Sequence, residues 1–465
     1  MNTSALDYAR KHAERFEAEY FALLRIPSVS TLAEHAADVN AAAEWIANNM
    51  RQIGLSDVQK IDREGALPLV FGQYTGAGPD APTVLVYSHY DVQPAEMADG
   101  WLTDPFTPTL KEGKVYARGA VDTKCHVMAH LKAIESMLAT GGCPVNMKYL
   151  FEGEEESGSE HIYAFIPENL DLLQADVCVV SDGSMPDPDQ PVLCYGLRGI
   201  VTGELVVTGP QRDLHSGHFG GNVLNPIQAL AEIIAKLHDE EGRVRVPGFY
   251  DDVREISADE HEVLKAYERW MESDWNNIAN APQPWGEPYF MMSERMGARP
   301  TLEINGMAGG FYGEGFKTVI PHRAMAKISC RLVPDQDPNR IASLLRDYIA
   351  EITPPSVTAE LVELEEGAPG VLVDLNEPVI QSVISAYEAG WGKEPVLMRG
   401  GGSVPVVSNF QQDLGIPVVM MPFGIGAGGA HGPNEYMILG MFHKGISTMI
   451  SFTDIYAMQS AKANP

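Results

Sequence analysis

The sequence predicts an α/β protein whose mixed, mostly parallel sheet carries helices on both faces and is interrupted by an inserted α+β domain. Short β-rich apolar runs alternate with helical patterns at both ends of the chain, which is typical of a parallel sheet covered by helices. Between them, alternating strands with separate helical stretches indicate an antiparallel sheet with one covered face. At 465 residues the chain also exceeds what one core usually serves. We predict one domain formed by 1–197 and 369–465, and an inserted domain over 198–368.

The first region begins with helices and continues with strands. Apolar spacing predicts a helix over about 4–24, which Pro27 ends, and a second helix over 36–53. A third helical pattern covers 123–138. Apolar runs rich in β-branched residues predict strands at 83–87, 147–151 and 176–180.

The inserted region and the last region follow from the same patterns. In the insertion we predict strands at 203–207, 299–303, 325–329 and 357–361. Helical stretches lie among them at 223–238, 260–270 and 338–348. The βα pattern then returns, with a helix over 378–390 and strands at 396–398 and 418–421. This return indicates that the last region completes the first sheet.

Composition and charge exclude several classes of protein. The 33 Lys and Arg against 63 Asp and Glu give a net charge of −30, which argues against a nucleic-acid partner because phosphate binding needs clustered cations. No stretch approaches the ~18 apolar residues of a membrane span. The five cysteines form neither a disulfide framework nor a CxxC pair, so we expect a reducing, cytoplasmic location.

Acidic and histidine side chains follow several predicted strands. They are His89 and Asp91, Glu154, Glu155 and Glu156, Asp182, and, in loops, Asp122 and His431. Ligands of open α/β sheets lie beyond the carboxyl ends of the strands, so this placement predicts a site at one edge. Singly, each residue has an ordinary explanation as a helix cap, a turn residue or a solvated loop. From the residues alone, a metal site and a set of such structural positions remain open alternatives.

Six segments decide between these alternatives because together they resemble one family. The segments are Ser88–Pro94, Ala117–Lys124, Phe151–Glu160, Val180–Asp182, Arg212–Gly217 and His431–Glu435. They resemble, in the same order, the metallopeptidase family of carnosine dipeptidases, acetylornithine and succinyl-diaminopimelate deacylases, aminoacylase and carboxypeptidase G. The runs Asp213–Gly217, Lys317–Pro321 and Arg331–Pro334 are most similar to the branch of cytosolic nonspecific and carnosine dipeptidases.

The resemblance implies a centre of two divalent metal ions. Asp122 would bridge both ions, with His89 and Asp182 completing one ligand set and Glu156 and His431 the other. We expect Zn²⁺, while imidazole and carboxylate ligands would equally suit Mn²⁺ or Co²⁺. Asp91 would orient His89 and raise its basicity.

Glu155 and His215 are the further catalytic residues that the resemblance implies. Aligning Glu-Gly-x-Glu-Glu-Ser-Gly on 152–158 makes Glu155 the general base and Glu156 the metal ligand. His215, in the inserted domain, would stabilise the oxyanion in the active site of the other subunit. The insertion would then be a lid and dimerisation domain, and the protein a homodimer.

The substrate site is implied at four residues of the insertion and the last region. Arg331, Thr318, Gly402 and Ser403 resemble the family's site for the substrate carboxylate, where a guanidinium and glycine-rich backbone donors suit an anion. The chain departs from carnosine-type dipeptidases at Glu377, where they carry a substrate-contacting histidine.

These observations predict a metal-dependent dipeptidase that acts on small peptides with a free C-terminal carboxylate. An N-acyl-amino-acid amidohydrolase or a carboxypeptidase could use the same residues on N-acyl amino acids or longer peptides. A metal-binding protein without turnover is the third alternative. Glu155 and Asp91 argue against it, because binding alone needs neither.

Overall fold

A computed structural model describes residues 2–362 and 367–463 of the chain. Two compact units are present: Met1–Tyr195, Val373–Leu397 and Asn409–Pro465 form the first, and Gly196–Leu372 with Met398–Ser408 the second. The second unit thus also includes the short segment Met398–Ser408, which follows part of the first unit in sequence. Residues 363–366, inside the predicted insertion, lie outside the described part. The assignment of these units as catalytic and lid domains stays a prediction.

The first part of the chain forms helices and nine strands. Its helices are α1 (Thr3–Lys11), α2 (Ala13–Leu24), α3 (Ala36–Gln52), α4 (Lys124–Leu138), α5 (Glu160–Glu168) and α6 (Leu170–Leu173). Its strands are β1 (Ser56–Ile61), β2 (Leu69–Tyr74), β3 (Thr83–His89), β4 (Thr109–Lys111), β5 (Lys114–Tyr116), β6 (Asn146–Glu152), β7 (Val177–Val180), β8 (Ser184–Met185) and β9 (Val192–Leu197).

The middle of the chain forms the elements of the second unit. Its strands are β10 (Gly199–Thr208), β11 (Leu214–His215), β12 (Thr301–Gly309), β13 (Val319–Ile320), β14 (Arg323–Leu332), β15 (Thr358–Val362) and β16 (Val371–Leu372). Its helices are α7 (Ser216–Phe219), α8 (Pro226–Ala235), α9 (Ala258–Asp274), α10 (Met292–Gly297) and α11 (Pro338–Ile352).

The last part of the chain returns to the βα pattern. Its elements are α12 (Pro378–Trp391), β17 (Val396–Gly400), α13 (Pro405–Asp413), β18 (Val418–Met420), β19 (Gly424–Ile425), β20 (Tyr436–Ile438) and α14 (Leu439–Ala463). No helix in 2–362 or 367–463 is long and apolar enough to cross a membrane.

The main sheet of the first unit has parallel strands at its centre and antiparallel strands at its edges. Its order is β1-β2-β6-β3-β7-β18-β9. The four strands β6, β3, β7 and β18 are mutually parallel, whereas β1, β2 and β9 pair antiparallel with their neighbours. The predicted α/β fold class is therefore confirmed, with the antiparallel strands accounting for the mixed character.

Strand β3 shows why this sheet is covered on both faces. Every residue from Val84 to His89 is buried, so neither face of the strand meets water. Val84 and Val86 belong to the core that α2, α3, α4, α12 and α14 share with the sheet. Tyr87 points to the other face, where its ring contacts Phe410 of α13 at 5.4 Å. A continuous apolar run of this kind is what a central parallel strand requires.

The second unit carries an antiparallel sheet with a core of its own. The strand order is β12-β14-β10-β15, and all three pairings are antiparallel. On β14 the burial alternates along the strand, which is the pattern of a sheet with one covered face. Helices α8 and α11 bury Leu230, Ile233, Ile341 and Leu345 against that face. This matches the predicted α+β insertion.

The sequence predictions missed several elements, among them β9, α5, α13 and α14, and two further differences lie near the start of the chain. The helix expected over 4–24 divides at His12, whose ring bonds back to the Tyr8 carbonyl and whose backbone leaves the helical conformation. Strands β1 and β2 were not predicted. Strand β1 has partly exposed, polar residues at the sheet edge, which leaves little apolar alternation for a pattern to detect.

Candidate metal centre

His89 is the last residue of β3 and is buried at the carboxyl edge of the sheet. Its Nδ1 donates to the Asp91 carbonyl at 3.1 Å and lies 3.3 Å from Asp91 Oδ1. Because the carbonyl can only accept, Nδ1 carries the proton and Nε2 faces the centre. Nε2 lies 3.2 Å from Asp122 Oδ1. Asp91 therefore fixes the His89 ring through its backbone carbonyl, and its buried carboxylate lies beside the same nitrogen.

Asp91 also holds the turn that carries two glutamates. Its Oδ1 accepts from Glu155 N at 3.2 Å and its Oδ2 from Glu156 N at 3.0 Å. Gln93, to which the sequence assigned no role, donates to Glu156 Oε2 at 2.7 Å. The two glutamates thus share a 3₁₀ turn, Glu155–Ser157, three residues beyond β6, yet point their carboxylates to different partners.

Glu154 is not a solvated loop residue. Its carboxylate is buried, accepts from Leu67 N at 2.8 Å and faces His161 Nδ1 at 2.9 Å. These contacts keep Glu154 away from the centre. Of the three adjacent glutamates, only Glu155 and Glu156 therefore reach it, and which of these two is a metal ligand stays a prediction.

Asp122 lies in the loop before α4 and faces both histidines. Its Oδ2 is 3.0 Å from His431 Nε2, while its Oδ1 faces His89. His431 lies in the glycine-rich loop before β20 with φ at 62°, and its Nε2 is also 3.2 Å from Glu156 Oε2. His431 is thus a non-glycine residue with a left-handed backbone, a conformation that is uncommon for such residues. This conformation directs the His431 side chain, and no sequence pattern predicts it.

The predicted ligands assemble into two overlapping groups. His89, Asp122 and Asp182 offer ligand atoms within 4.8 Å of one another, and so do Asp122, Glu156 and His431. Asp122 belongs to both groups. A third group of the same size joins His89 to Glu155 and Glu156, so Glu155 borders the centre.

Burial and crowding set the charges of the centre. Burial raises the pKa of Glu155 to about 8 and that of Asp182 to about 6. Burial acts in the same direction on Asp122, but hydrogen bonds to His431 and His89 outweigh it and hold the pKa of Asp122 well below its usual range. The hydrogen bond to Asp122 raises the pKa of His431 to about 9.

This donor set fits divalent cations. Imidazole nitrogen and carboxylate oxygen are the ligands that zinc, manganese and cobalt share. Burial favours the protonated form of the Glu155 and Asp182 carboxyl groups. A bound cation would favour their ionised form, since metal binding displaces protons from nearby acids. The residues present therefore fit a centre of two ions.

His215 lies in the second unit, at the end of β11, and is exposed. Its Nδ1 accepts from Gly217 N at 2.9 Å, so the neutral ring carries its proton on Nε2, which is available as a donor. Thr318 is also exposed, and its carbonyl accepts from Ser216 N at 3.0 Å. His215 therefore lies in the short β11–β13 pairing, and Thr318 directly precedes β13.

Arg331 and Ser403 meet within the second unit. Arg331 Nη1 donates to Ser403 Oγ at 2.8 Å, next to Gly402. Arg198, which no sequence motif marked, donates through Nε to the Gly401 carbonyl at 2.9 Å. Burial lowers the pKa of Arg198 to about 10, and the charge of Arg331 acts in the same direction. In the described part of the chain neither guanidinium has a carboxylate within 4.0 Å.

Glu377 is not placed beside the predicted ligands. It is exposed before α12 and lines a surface pocket with Thr83, Asp176 and Pro417. These three residues precede or begin β3, β7 and β18, so the pocket lies at the amino ends of the parallel strands. The position at which the chain departs from carnosine-type dipeptidases therefore lies away from this unit's metal centre.

Comparison with known proteins identifies the family. Residues 85–454 match the model described as Peptidase family M20/M25/M40. The chain belongs to this family. The predicted family and enzyme class, a metallopeptidase, are thereby confirmed.

Three relatives illustrate what this peptidase is similar to. The Cys-Gly metallodipeptidase dug1 of Schizosaccharomyces pombe is 32% identical over 456 residues, 95% of each chain. The human Beta-Ala-His dipeptidase is 31% identical over 374 residues, 79% of this chain and 74% of the other. The structure of the M20 family metallo-carboxypeptidase Sso-CP2 from Sulfolobus solfataricus has a TM-score of 0.81 and 30% identity, covering 95% of this chain and 99% of that one.

Proposed function

We propose that the protein is a dinuclear metallodipeptidase that cleaves the amide bond of small peptides with a free C-terminal carboxylate. The observation that carries the proposal is the pair of ligand groups that share Asp122, with Glu155 at their border. The dipeptidases among the relatives, named for Cys-Gly and for β-Ala-His, support the substrate class.

In this proposal five side chains hold the two ions and two others serve the reaction. His89 and Asp182 hold one ion, Glu156 and His431 the other, and Asp122 both. Zn²⁺ is the ion we propose first. When bound, the ions supply Lewis acidity and lower the pKa of a water molecule toward neutrality. Asp91 keeps Nε2 of His89 aimed at the centre through the hydrogen bond at Nδ1.

Glu155 is proposed as the general base. It accepts a proton from the attacking water and donates that proton to the leaving amine. Its position supports this role, because the Asp91 carboxylate holds its backbone while Glu155 Oε2 stays 3.9 Å from His89 Nε2. The side chain is thus near the ligands without the short contacts that Glu156 makes.

Arg331, Thr318, Gly402 and Ser403 are proposed to bind the C-terminal carboxylate of the substrate. The contact between Arg331 and Ser403 supports this, since it orders a glycine-rich loop beside a guanidinium. Arg198 strengthens the proposal. It brings a second positive charge to the same loop, and an anion would neutralise two guanidinium groups that have no carboxylate within 4.0 Å among the described residues.

Replacing Arg331 by lysine is expected to raise KM for dipeptides by roughly 10- to 100-fold, the value of a charge-assisted hydrogen bond. Replacing Arg198 by methionine should act in the same direction and less strongly. Both are measured on Ala-Ala and on Ala-Ala amide, with exposed Arg346→Lys as control. An equal effect on both substrates would contradict carboxylate binding.

His215 is proposed to stabilise the oxyanion, and the protein to act as a homodimer through the second unit. The hydrogen bond from Gly217 supports the role, because it leaves Nε2–H free to donate to a developing negative charge. Exposure of His215 agrees with a side chain that serves another subunit.

Mixing two inactive variants tests which subunit His215 serves. In a heterodimer of His215→Gln and Glu155→Gln, one active site regains both residues only if His215 acts across the interface. We expect activity in the mixture approaching a quarter of the wild-type value, since half the dimers are mixed and each has one complete site. No recovery, with exchange of subunits verified by differential tags, would show that each subunit uses its own His215.

A carboxypeptidase is the second candidate function. The similarity to Sso-CP2, at 30% identity against 32% for the Cys-Gly metallodipeptidase dug1, favours it. A dipeptidase and a carboxypeptidase both need a site for the substrate carboxylate and a metal centre. The two functions differ in whether the amino group of the substrate is free. An N-acyl-amino-acid amidohydrolase also needs a carboxylate site and a metal centre, and it is the third candidate function.

One panel of substrates separates these functions. Protein stripped of metal is reloaded with Zn²⁺, Mn²⁺ or Co²⁺ and assayed on Cys-Gly, β-Ala-His and Ala-Ala, on N-blocked di- and tripeptides, and on N-acetyl and N-succinyl amino acids. We expect hydrolysis of free dipeptides by the reloaded protein alone. Turnover of blocked substrates without turnover of free dipeptides would overturn the proposed function.

We also propose a reducing, cytoplasmic location. All five cysteines lie in the described part of the chain, are buried and form no disulfide. Such use of cysteine is usual where thiols are kept reduced.

A further inference from the structure

Glu435 is a fully buried carboxylate beside the metal centre. Its Oε2 accepts from Arg118 Nη1 at 2.7 Å and from Gly119 N at 2.9 Å. Its Oε1 accepts from Val121 N at 2.7 Å and from Asp122 N at 3.1 Å. A carboxylate has about four acceptor positions, and all are used here on one short segment of chain.

That segment, residues 118–122, ends at the residue that faces both histidines. Glu435 itself lies four residues after His431. Its backbone carbonyl accepts from Ala117 N at 3.1 Å, and β20, which begins at the next residue, pairs with β5. The loop of His431 and the loop of Asp122 are therefore joined by both the backbone and the side chain of one residue.

We propose that Glu435 is a positioning residue of the metal centre, which fastens the Asp122 loop to the His431 loop. It sets the approach of Asp122 Oδ2 to His431 Nε2, 3.0 Å in this structure. The inference rests on the proposed function of these residues as metal ligands. Glu435 binds no ion itself, because its four acceptor positions already have donors.

The identity of the side chain matters for this role. Glutamine in its place would keep one acceptor oxygen and bring an amide group that donates, which would face two N–H groups that also donate. Aspartate would keep the charge but is one methylene shorter. We therefore expect Glu435→Gln to disrupt the loop and Glu435→Asp to disrupt it partly.

The experiment measures Zn²⁺ binding to metal-free protein, with a chromophoric chelator as competitor, together with thermal unfolding of the same samples. We expect Glu435→Gln to fold but to bind the ions roughly 10- to 100-fold more weakly, the usual loss when a residue behind the ligands is replaced. Glu435→Asp should recover part of the affinity. Substrate turnover is not needed for this readout.

Glu135→Gln is the matched control. Glu135 is also buried, bonds Lys132 Nζ at 2.8 Å and pairs with Arg15, but lies toward the far end of α4. We expect the variant Glu135→Gln to have a lower unfolding temperature and an unchanged affinity for Zn²⁺. Wild-type affinity in folded Glu435→Gln would overturn the inference, as would an equal loss of affinity in Glu135→Gln.

Two further variants decide the question if Glu435→Gln does not fold. Glu435→Asp keeps the charge, and Arg118→Met removes one of the four donors. Wild-type affinity in both would overturn the inference. Wild-type protein that binds no Zn²⁺ would instead refute the proposed function, so the two failures are distinguishable.

Discussion

Glu155→Gln is expected to bind both metal ions and to lose turnover by roughly 10³-fold, within the range that general acid–base catalysis contributes. The amide cannot accept the proton of the attacking water at neutral pH. The fold should persist, because the contacts that hold the turn are made by the Glu155 backbone and by Asp91. The measurement is kcat on Ala-Ala together with metal content.

Metal-free Glu155→Gln should unfold at no lower temperature than wild type at pH 8. Burial raises the pKa of Glu155 to about 8, above its ordinary 4.5, so the folded protein retains this proton longer than the unfolded chain. Its contribution to stability therefore falls as pH rises from about 4.5 through 8, and glutamine removes this loss.

The control for Glu155 is Glu160→Gln, which removes an exposed carboxylate five residues further along the chain. It should retain wild-type turnover. Full activity in Glu155→Gln with wild-type metal content would refute the role of Glu155 as the base. Loss of metal in that variant would instead make Glu155 a ligand.

Asp122→Asn should lose both metal ions, whereas Asp182→Asn should lose one. Asp122 belongs to both ligand groups, while Asp182 belongs to one. An amide brings no negative charge to either ion, and its nitrogen cannot coordinate. We expect less than one ion per chain in Asp122→Asn, about one in Asp182→Asn, and no measurable turnover in either.

Metal content by mass spectrometry after dialysis, with Zn²⁺ supplied again before the assay, checks this prediction. The control is Asp413→Asn, an exposed aspartate at the end of α13. Two ions retained by Asp122→Asn would show that Asp122 is not shared. Equal metal loss in Asp122→Asn and Asp182→Asn would refute two overlapping ligand sets.

Much of the site follows from the order of residues along the chain. Strand β3 is detectable because its residues are continuously apolar, and His89 and Asp91 come at its end. Parallel strands then bring the ends of β3, β6 and β7 to one edge, so the positions of Glu155, Glu156 and Asp182 follow. Ser157 and Gly158 anchor the motif, so the sequence assigns a definite register to the glutamates, and that register stays a prediction.

Other parts of the site could not be derived in this way. Gln93, Arg198 and Glu435 have roles here through hydrogen bonds to residues distant in sequence. No periodicity distinguishes a buried carboxylate such as Glu435 from a surface one. The return of 398–408 to the second unit depends likewise on contacts with residues 198 and 331, far along the chain.

Local patterns and residue chemistry thus suffice for the α/β class, for the alternation of units and for which acids and histidines gather at the sheet edge. They suffice because burial on two faces and strand direction are encoded within a few neighbouring residues. The hydrogen bonds from the Glu155–Glu156 turn to Asp91, and from the Asp122 loop to Glu435, arise only when distant segments pack together. Only those long-range contacts turn a set of nearby acids into a centre in which Asp122 faces His89 and His431 at once.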